Sequence, residues 1–279
     1  MEGHTSTGGY VANLDAVHGD LRFTDDTAMT IGVAESLLDS GGFDGHQMAQ
    51  TFARHYADEP WRGYGASPPE VFGRIDQGVP WDEAARSLFG GTGSFGNGAA
   101  MRVAPVALFA HPDTRVVAAM ARETAVITHT HPEGVDGAVA QAVAVDRVLA
   151  LDPDAPIDPL ELIDRIRGHV TTAIFRDKLA YLSSSVGQRS VPELAQVLGS
   201  GVAAHASVPT ALACFLTHPR SFPEAVKAAI SLGGDTDTVA AMTGALAGAL
   251  GGLAAIPPRW RSVEGYDTLK QLADQLLSR

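Results

Sequence analysis

The chain has 279 residues, 45% of them hydrophobic and 19% charged, which is typical of a folded globular protein and excludes a disordered chain. Its formal net charge of −12 argues against a nucleic-acid partner, but allows one small anionic ligand held by helix N-termini or a single arginine. The one cysteine, Cys214, lies in an apolar run and is expected to be a buried core thiol, so a disulfide within the chain and a multi-cysteine zinc site are excluded.

Apolar residues recur at helical spacing along the chain, and the two-residue alternation of strands is nearly absent. Capping boxes are expected at Asp44–Gln47 and Ser190–Glu193. Linkers are short, and neither an internal repeat nor a domain boundary is visible. We therefore predict an all-α fold, a single compact multi-helix bundle over residues 1–279, with its chemistry on the loops. The predicted helices are Ala28–Leu38, one after Asp44, Asp113–Thr128, Val135–Leu151, Pro159–Gly168, Leu194–Leu198, Pro209–Leu216, Phe222–Leu232, Thr238–Leu250 and Tyr266–Leu277.

The two segments that could act as a signal peptide or a membrane span lack the features of either. The start, Met1-Glu2-Gly3-His4, is polar and has no apolar stretch, so no signal peptide is expected. The most apolar segment, Val239–Ile256, is built largely from Ala and Gly and follows an acidic turn, as in a tightly packed core helix. We expect a cytoplasmic protein with no membrane partner and take a monomer as the default state.

Two acidic turns are the first candidate for a functional site. Phe23-Thr24-Asp25-Asp26-Thr27 precedes one predicted helix, and Gly233-Gly234-Asp235-Thr236-Asp237-Thr238 precedes another. Helix capping needs one oxygen-bearing side chain, whereas each turn has four in succession. Mg²⁺ takes about six oxygen ligands, and clustered carboxylates repel one another without a cation between them. If the turns converge, they predict a site for two divalent cations; capping alone is the alternative.

The second candidate is the glycine-rich segment Gly91–Gly98. It lacks the Gly-Lys-Ser/Thr ending of a Walker A loop, and no strand precedes it. Backbone N–H groups exposed in succession can still bind an anion, and the flanking Phe89 and Phe95 could stack on a flat base. The alternative is a plain surface loop whose two rings pack into the core.

The third candidate is the turn Thr128-His129-Thr130-His131-Pro132. Two histidines at this spacing could bind a metal, but no cysteine or HExxH partner supports zinc. Pro132 and Glu133 are ordinary residues for a helix start. One histidine that contacts a ligand is therefore the better interpretation.

Four motifs, in this order, give the chain a resemblance to a known family. They are Phe23–Met29, Gly93–Gly98 through Met101-Arg102, Thr128-His129, and Ser231–Thr238. With them, and over nearly its whole length, the chain resembles the ADP-ribosylglycohydrolases, also called ADP-ribosyl-acceptor hydrolases. Arg62-Gly63-Tyr64-Gly65 and Ala203–Ala211 resemble the serine-type branch of that family more than the arginine-type branch.

The resemblance implies an all-α hydrolase with two Mg²⁺ ions, Mn²⁺ being the alternative ion, that releases ADP-ribose from ADP-ribosyl-serine, poly(ADP-ribose) or O-acetyl-ADP-ribose. An ADP-ribosylated protein is the expected partner. The implied metal ligands are Thr24, Asp25, Asp26, Asp235, Asp237 and Thr238. The implied substrate-binding residues are Phe89, Gly93, Ser94, Phe95, Gly96, Asn97 and His129, and the implied catalytic residues are Glu2, Asp25, Asp26 and Asp237.

The N-terminus departs from the family's pattern. Members open with a glycine-rich helix containing a Gly-Asp pair, followed by a glutamate, and that helix is missing here. Glu2-Gly3-His4-Thr5 resembles the glutamate segment, and Glu2 is the expected counterpart of its glutamate. A start codon placed too late and a real truncation both explain the difference. Three other functions stay open: an ADP-ribose-binding module inactive through truncation, an ADP-ribosyl-arginine hydrolase, and a metal-dependent phosphoester hydrolase.

Overall fold

The computed structural model describes residues 21–278, and within that range the chain forms sixteen α-helices, one 3-10 helix and three isolated β-bridges. Glu2 lies outside the described residues. The helices are α1 Asp25–Ser40, α2 Gly45–Asp58, α3 Ser67–Asp76, α4 Trp81–Ala84, α5 Leu88–Gly91, α6 Gly98–Met101, α7 Ala104–Ala110, α8 Thr114–Val126, α9 Pro132–Leu149, α10 Pro159–Arg167, α11 Ala173–Ser185, α12 Val191–Leu198, α13 Ala204–Thr217, α14 Phe222–Ser231, α15 Thr236–Ala255 and α16 Tyr266–Leu277, with the 3-10 helix at Pro258–Ser262.

Every helix predicted from the sequence is present, and the expected end signals fix most of the boundaries. Gly41 ends α1 in the left-handed conformation, at φ 69°. Ser190 and Glu193 form the predicted capping box of α12. At Asp44 only half of the box forms: its carboxylate accepts the Gln47 N–H, while the Gln47 side chain accepts a hydrogen bond from Ser36 in α1.

The end of α15, predicted at Leu250, lies at Ala255. An equally large boundary error concerns α13, predicted at Pro209–Leu216. The helix begins at Ala204, so Pro209 lies in its interior. Proline has no N–H to donate and usually breaks a helix. Here twelve of the fourteen helical residues are buried, and this packing stabilises the helix across the proline. The helices α3 and α11, of ten and thirteen residues, were not predicted. The short helices α4, α5 and α6 were also not predicted, because one helical turn has too few residues to show periodicity.

The core is organised around α9, thirteen of whose eighteen residues are buried. α8, α6, α13 and α15 pack around it. Gly137 allows the close approach of α13, because a Cβ at this position would lie 2.6 Å from Ala204 Cβ. Cys214 is buried in the same core, as predicted.

By length and composition, α15 is the one helix within residues 21–278 that could span a membrane. One of its faces is buried against α13, α14 and α9. This packing agrees with the expectation of a core helix, and the absence of a membrane partner stays a prediction.

The close contact at Gly137 predicts that alanine substitutions at two helical glycines, Gly137 and Gly73, change the free energy of unfolding in opposite directions. Gly137→Ala should lower the free energy of unfolding by about 1–2 kcal/mol, because the added methyl overpacks the α9–α13 contact. Gly73→Ala in α3 meets no atom within 4 Å and should raise it by up to about 1 kcal/mol through helix propensity. Urea unfolding of both variants measures the two effects, and equal changes would contradict the proposed packing constraint.

Candidate active site

The two acidic turns, far apart in the sequence, meet at one cavity of about 460 Å³. Asp25 of the first turn and Asp235, Asp237 and Thr238 of the second line its wall. Thr238 of the second turn lowers the pKa of Asp26 and the Asp237 charge raises it, so the second turn lies next to the first. The convergence that the sequence could only postulate is therefore present, and both turns lie at helix N-termini, those of α1 and α15.

Arg62 positions the first turn. Its carbonyl accepts the Asp25 N–H at 2.9 Å, and its guanidinium donates to Phe23 O at 2.9 Å and lies 3.9 Å from the centre of the Phe23 ring. The same guanidinium pairs with Glu59 and Glu264, so it is neutralised without using the aspartates of the turn. Sequence analysis gave Arg62 no structural role, since its partners Phe23, Asp25 and Glu264 lie at distant positions of the chain.

The second turn is held by the loop before α13. The Asp235 N–H donates to Ser200 O at 2.8 Å. Gly234 makes this approach possible: its φ is +76°, and a Cβ there would lie 2.3 Å from the same Ser200 oxygen. Asn97 Nδ2 donates to Asp235 Oδ2 at 2.6 Å, which links the turn to the glycine-rich segment.

The carboxylates of these turns are hard to ionise together. Burial, followed by the charges of Asp237 and Asp235, raises the pKa of Asp25 to about 6. Burial, with Asp25 and Asp237 adding to it, raises the pKa of Asp26 to about 7 despite hydrogen bonds from Thr24 and Thr238. Burial also raises the pKa of Asp235, with Asp237 contributing and Asn97 opposing. Desolvation and mutual repulsion are the expected cost of such a cluster.

The donor atoms of the cluster fit a hard divalent cation. Asp26 Oδ1 is buried and has no hydrogen-bond partner, although buried carboxylate oxygens are normally paired. Thr24 Oγ1 lies 2.8 Å from Asp26 Oδ2, so hydroxyl and carboxylate oxygens are adjacent. Within residues 21–278 no three His, Cys, Asp or Glu side chains already form a metal-binding group, so hydroxyls and water would have to complete an octahedral set.

The glycine-rich segment packs between the histidine turn and the loop before α13. Asn97 N–H donates to Val202 O at 2.9 Å, and a Cβ at Gly93 would lie 2.1 Å from Thr130 Oγ1. Gly93 and Gly96 N–H donate to Leu88 O and Ser94 Oγ. Since these three amides are already used, an anion would have to be bound by other amides of the segment.

Phe89 and Phe95 form an open pair of rings at the cavity. Their side chains are 58% and 44% exposed, their centroids are 6.4 Å apart, and the ring planes are inclined by 39°. The alternative in which both rings pack into the core is therefore wrong. Phe89 has φ 52° and ψ 43°, a left-handed conformation unfavourable for a bulky residue, and such outliers cluster at functional sites.

His129 lies at the base of the cavity beside Gly96 and Gly98 and is 5% exposed. Burial and, to a lesser degree, the Arg102 cation lower its pKa to about 3, so the ring is neutral at physiological pH. His131 does not join it: its Nδ1 accepts the Glu133 N–H at the start of α9, and its ring packs against Phe95.

Sequence analysis missed two further residues that line the cavity. Tyr64 lies between Gly63 and Gly65; its buried hydroxyl has no hydrogen-bond partner, and burial with the Asp25 charge raises its pKa to about 12. The aromatic residue in a glycine-flanked turn was the available signal. Val202 is 66% exposed at the rim, and nothing in the sequence distinguishes it from other loop residues.

Comparisons with known proteins agree with this geometry. The ADP-ribosylglycohydrolase family model matches residues 4–279. ADP-ribosylhydrolase ARH3 of Homo sapiens is 38% identical over 92% of this chain and 78% of that protein, and the Danio rerio ADP-ribosylhydrolase ARH3 is 38% identical over 94% and 79%. A solved structure, an ADP-ribosylglycohydrolase-related protein complex, superposes with a TM-score of 0.71 at 30% identity, covering 91% of this chain and 81% of that one. The chain thus belongs to the ADP-ribosylglycohydrolase family and is a hydrolase that cleaves the glycosidic bond of ADP-ribosyl groups.

Proposed function

We propose that this hydrolase uses two Mg²⁺ ions to release ADP-ribose from serine-linked ADP-ribosyl proteins. The observation that carries the proposal is the convergence of two acidic turns and a glycine-rich segment with exposed aromatic rings on one cavity. The serine linkage is supported by the extensive identity to ADP-ribosylhydrolase ARH3 and by Arg62-Gly63-Tyr64-Gly65, which resembles the serine-type branch. Poly(ADP-ribose) and O-acetyl-ADP-ribose have the same ADP-ribosyl half and are the related substrates.

The proposed metal ligands are the oxygens of the two turns, listed here in chain order: Thr24, Asp25, Asp26, Asp235, Asp237 and Thr238. Charge supports a cation at this position, because an acidic cavity would otherwise repel the pyrophosphate of ADP-ribose. Bound Mg²⁺ would supply positive charge and coordination positions for hydroxyls of the distal ribose.

The other residues of the cavity bind different parts of ADP-ribose in this proposal. Phe89 and Phe95, exposed and inclined to one another, offer faces for the adenine. Gly96 and Gly98 leave room for the pyrophosphate to approach the backbone near His129. Because His129 is neutral, it contributes hydrogen bonding and no charge.

Cleavage of the bond between C1″ of the distal ribose and the acceptor oxygen passes through a state with oxocarbenium character. The aspartates of the turns stabilise positive charge on that sugar and exclude any bulky anion from its position. A water oxygen forms the new bond to C1″ and loses a proton, while the acceptor oxygen gains a proton as it leaves. Glu2 stays the predicted residue for proton transfer.

The substrate proposal predicts metal-dependent release of free ADP-ribose from a serine-ADP-ribosylated peptide. Release should require Mg²⁺ and stop in EDTA, because the carboxylates cannot bind the ligand without a cation. An arginine-ADP-ribosylated peptide of the same sequence context is the matched substrate control. Equal or faster release from arginine would refute the serine assignment, whereas no release from either peptide by protein that binds ADP-ribose would indicate another acceptor.

The metal proposal predicts that Asp235→Asn lowers kcat/KM by about a hundredfold or more, since even residues behind the ligands of metal sites cost 10–100-fold when removed. The Asn97 hydrogen bond can persist, because an amide oxygen replaces the carboxylate oxygen. Asp164→Asn, an exposed change in α10, is the matched control and should leave kcat/KM unchanged. Retention of full activity by Asp235→Asn would exclude Asp235 as a ligand.

The raised carboxylate pKa values predict how stability depends on pH without metal. Folding raises the pKa of Asp25 from 3.8 to about 6 and that of Asp26 from 3.8 to about 7. Their stabilisation by bound protons is therefore complete below pH 3.8 and is lost as the pH rises through the two folded values. In EDTA, Tm should fall between about pH 5 and about pH 8, and Mg²⁺ should raise Tm more at the higher pH.

Two variants separate this effect from the titration of the whole protein. Asp26→Asn removes one of the raised groups and should make the decline of Tm in EDTA shallower. Asp164→Asn should keep the wild-type decline, because its carboxylate is exposed. A Mg²⁺-induced rise in Tm that is independent of pH would contradict the assignment of these aspartates to the cation.

A further inference from the structure

The buried cation of Arg102 lies next to His129. Arg102 is completely buried, and within residues 21–278 no carboxylate pairs with it. Its guanidinium donates to Thr124 O at 3.2 Å and to Thr128 Oγ1 at 2.8 Å and lies 4.6 Å from the centre of the Phe52 ring. Burial lowers the pKa of Arg102 to about 9, so the group is still a cation at neutral pH.

Thr128 connects this cation to His129. Its Oγ1 lies 2.7 Å from His129 Nδ1 and accepts the hydrogen bond from Arg102 on its other side. A threonine hydroxyl has one proton to donate. Among the described residues, His129 Nδ1 is the acceptor found for that proton. The arrangement that satisfies all three groups therefore has Arg102 donating to Thr128 and Thr128 donating to Nδ1.

The opposite tautomer would fit poorly. A proton on Nδ1 would direct two donors, the imidazole and the guanidinium, at the same Oγ1 and would leave the hydroxyl proton without an acceptor in this group. It would also place the N–H dipole of the ring towards the Arg102 cation. Hydrogen bonding and electrostatics both favour a lone pair on Nδ1 and a proton on Nε2.

The other ring nitrogen faces the ligand side. Nε2 would lie 3.4 Å from a Cβ at Gly96 and 3.2 Å from one at Gly98, so it points at the glycine-rich segment. His129 lines the cavity, and no hydrogen bond to Nε2 is found among the described residues. An Nε2–H group at this position can donate to a ligand oxygen.

We propose that Thr128, anchored by the buried Arg102, is a positioning residue that holds neutral His129 in its Nε2–H tautomer, so that His129 donates a hydrogen bond to an oxygen of bound ADP-ribose. The inference rests on the proposed binding of ADP-ribose in this cavity. In many enzymes a carboxylate orients the histidine and makes it more basic. A cation and a hydroxyl do the reverse here, and His129 becomes a fixed donor that does not shuttle protons.

The tautomer can be measured directly on the wild-type protein. Long-range ¹H–¹⁵N NMR of protein labelled with ¹⁵N-histidine distinguishes a protonated from an unprotonated ring nitrogen, and His129→Asn identifies the His129 signals by their loss. We expect an unprotonated Nδ1 and a protonated Nε2. A wild-type His129 with its proton on Nδ1, or a mixture of tautomers, would overturn the proposal without any Thr128 variant.

Three threonine variants test whether Thr128 is the cause. Thr128→Val removes the hydroxyl at nearly constant shape and should abolish the single-tautomer signature. Thr128→Ser restores the hydroxyl and should restore the signature. Thr124→Val is the matched control one turn earlier in α8, because the Thr124 hydroxyl is equally buried but donates to Ala121 O. An unchanged tautomer in folded Thr128→Val would refute the role of Thr128.

Affinity for ADP-ribose, measured by calorimetry with Mg²⁺ present, tests the consequence for the ligand. Thr128→Val should weaken binding about tenfold, in line with the loss of one well-placed hydrogen bond, whereas Thr128→Ser and Thr124→Val should stay within about twofold of wild type. An altered tautomer with unchanged affinity would show that His129 does not donate to ADP-ribose and would overturn the proposal. Wild-type protein that binds no ADP-ribose would instead refute the proposed function, while the NMR result would still decide the tautomer.

Discussion

The repulsion among the aspartates of the two turns is the constraint on which the site depends. Backbone hydrogen bonds hold each turn in place and so bring these carboxylates together. The Asp25 N–H donates to Arg62 O, and the Asp235 N–H donates to Ser200 O. Arg62, which positions the first turn, is paired with Glu59 and Glu264 and donates to Phe23 O, so its charge does not neutralise the turn. Carboxylates held in this way still favour the binding of an external cation. The raised pKa values of Asp25 and Asp26 show that their ionisation is unfavourable without one.

The nucleotide side and the acidic side of the cavity are not independent. Asn97 belongs to the glycine-rich segment, yet its amide donates to Asp235 and its backbone N–H to Val202 O. Ala204 N–H at the start of α13 closes the same connection through Phe95 O. A shift of the glycine-rich segment would reach an acidic turn through these hydrogen bonds. If the cavity binds a nucleotide and a cation, as proposed, any coupling between their affinities is reciprocal by thermodynamic linkage.

The sequence predicted the fold class, most of the long helices and the regions that form the cavity, because periodicity and local motifs are encoded over short stretches; it missed the thirteen-residue helix α11. It did not reveal the early start of α13, where burial of the surrounding residues outweighs the helix-breaking effect of Pro209. It also gave no structural role to Arg62 or Arg102. Their importance comes from partners that are distant in the sequence, such as Glu264 for the first and Thr128 for the second. Periodicity and motif spacing contain no information on which polar side chains pair across the core.

The aspartates keep their negative charge available and His129 stays neutral for the same reason. A histidinium in this cavity would act as a counter-ion for the aspartates and would compete with a divalent cation for them. It would also attract the pyrophosphate away from the position that the proposed metal ions and the glycine-rich segment would give it. Burial beside the Arg102 cation prevents protonation, since it lowers the pKa of His129 to about 3. The Arg102 guanidinium reaches His129 through Thr128, and its positive charge opposes protonation of the ring. This combination, a neutral hydrogen-bond donor next to acidic turns, suits the proposed binding of an anionic nucleotide and a divalent cation in one cavity.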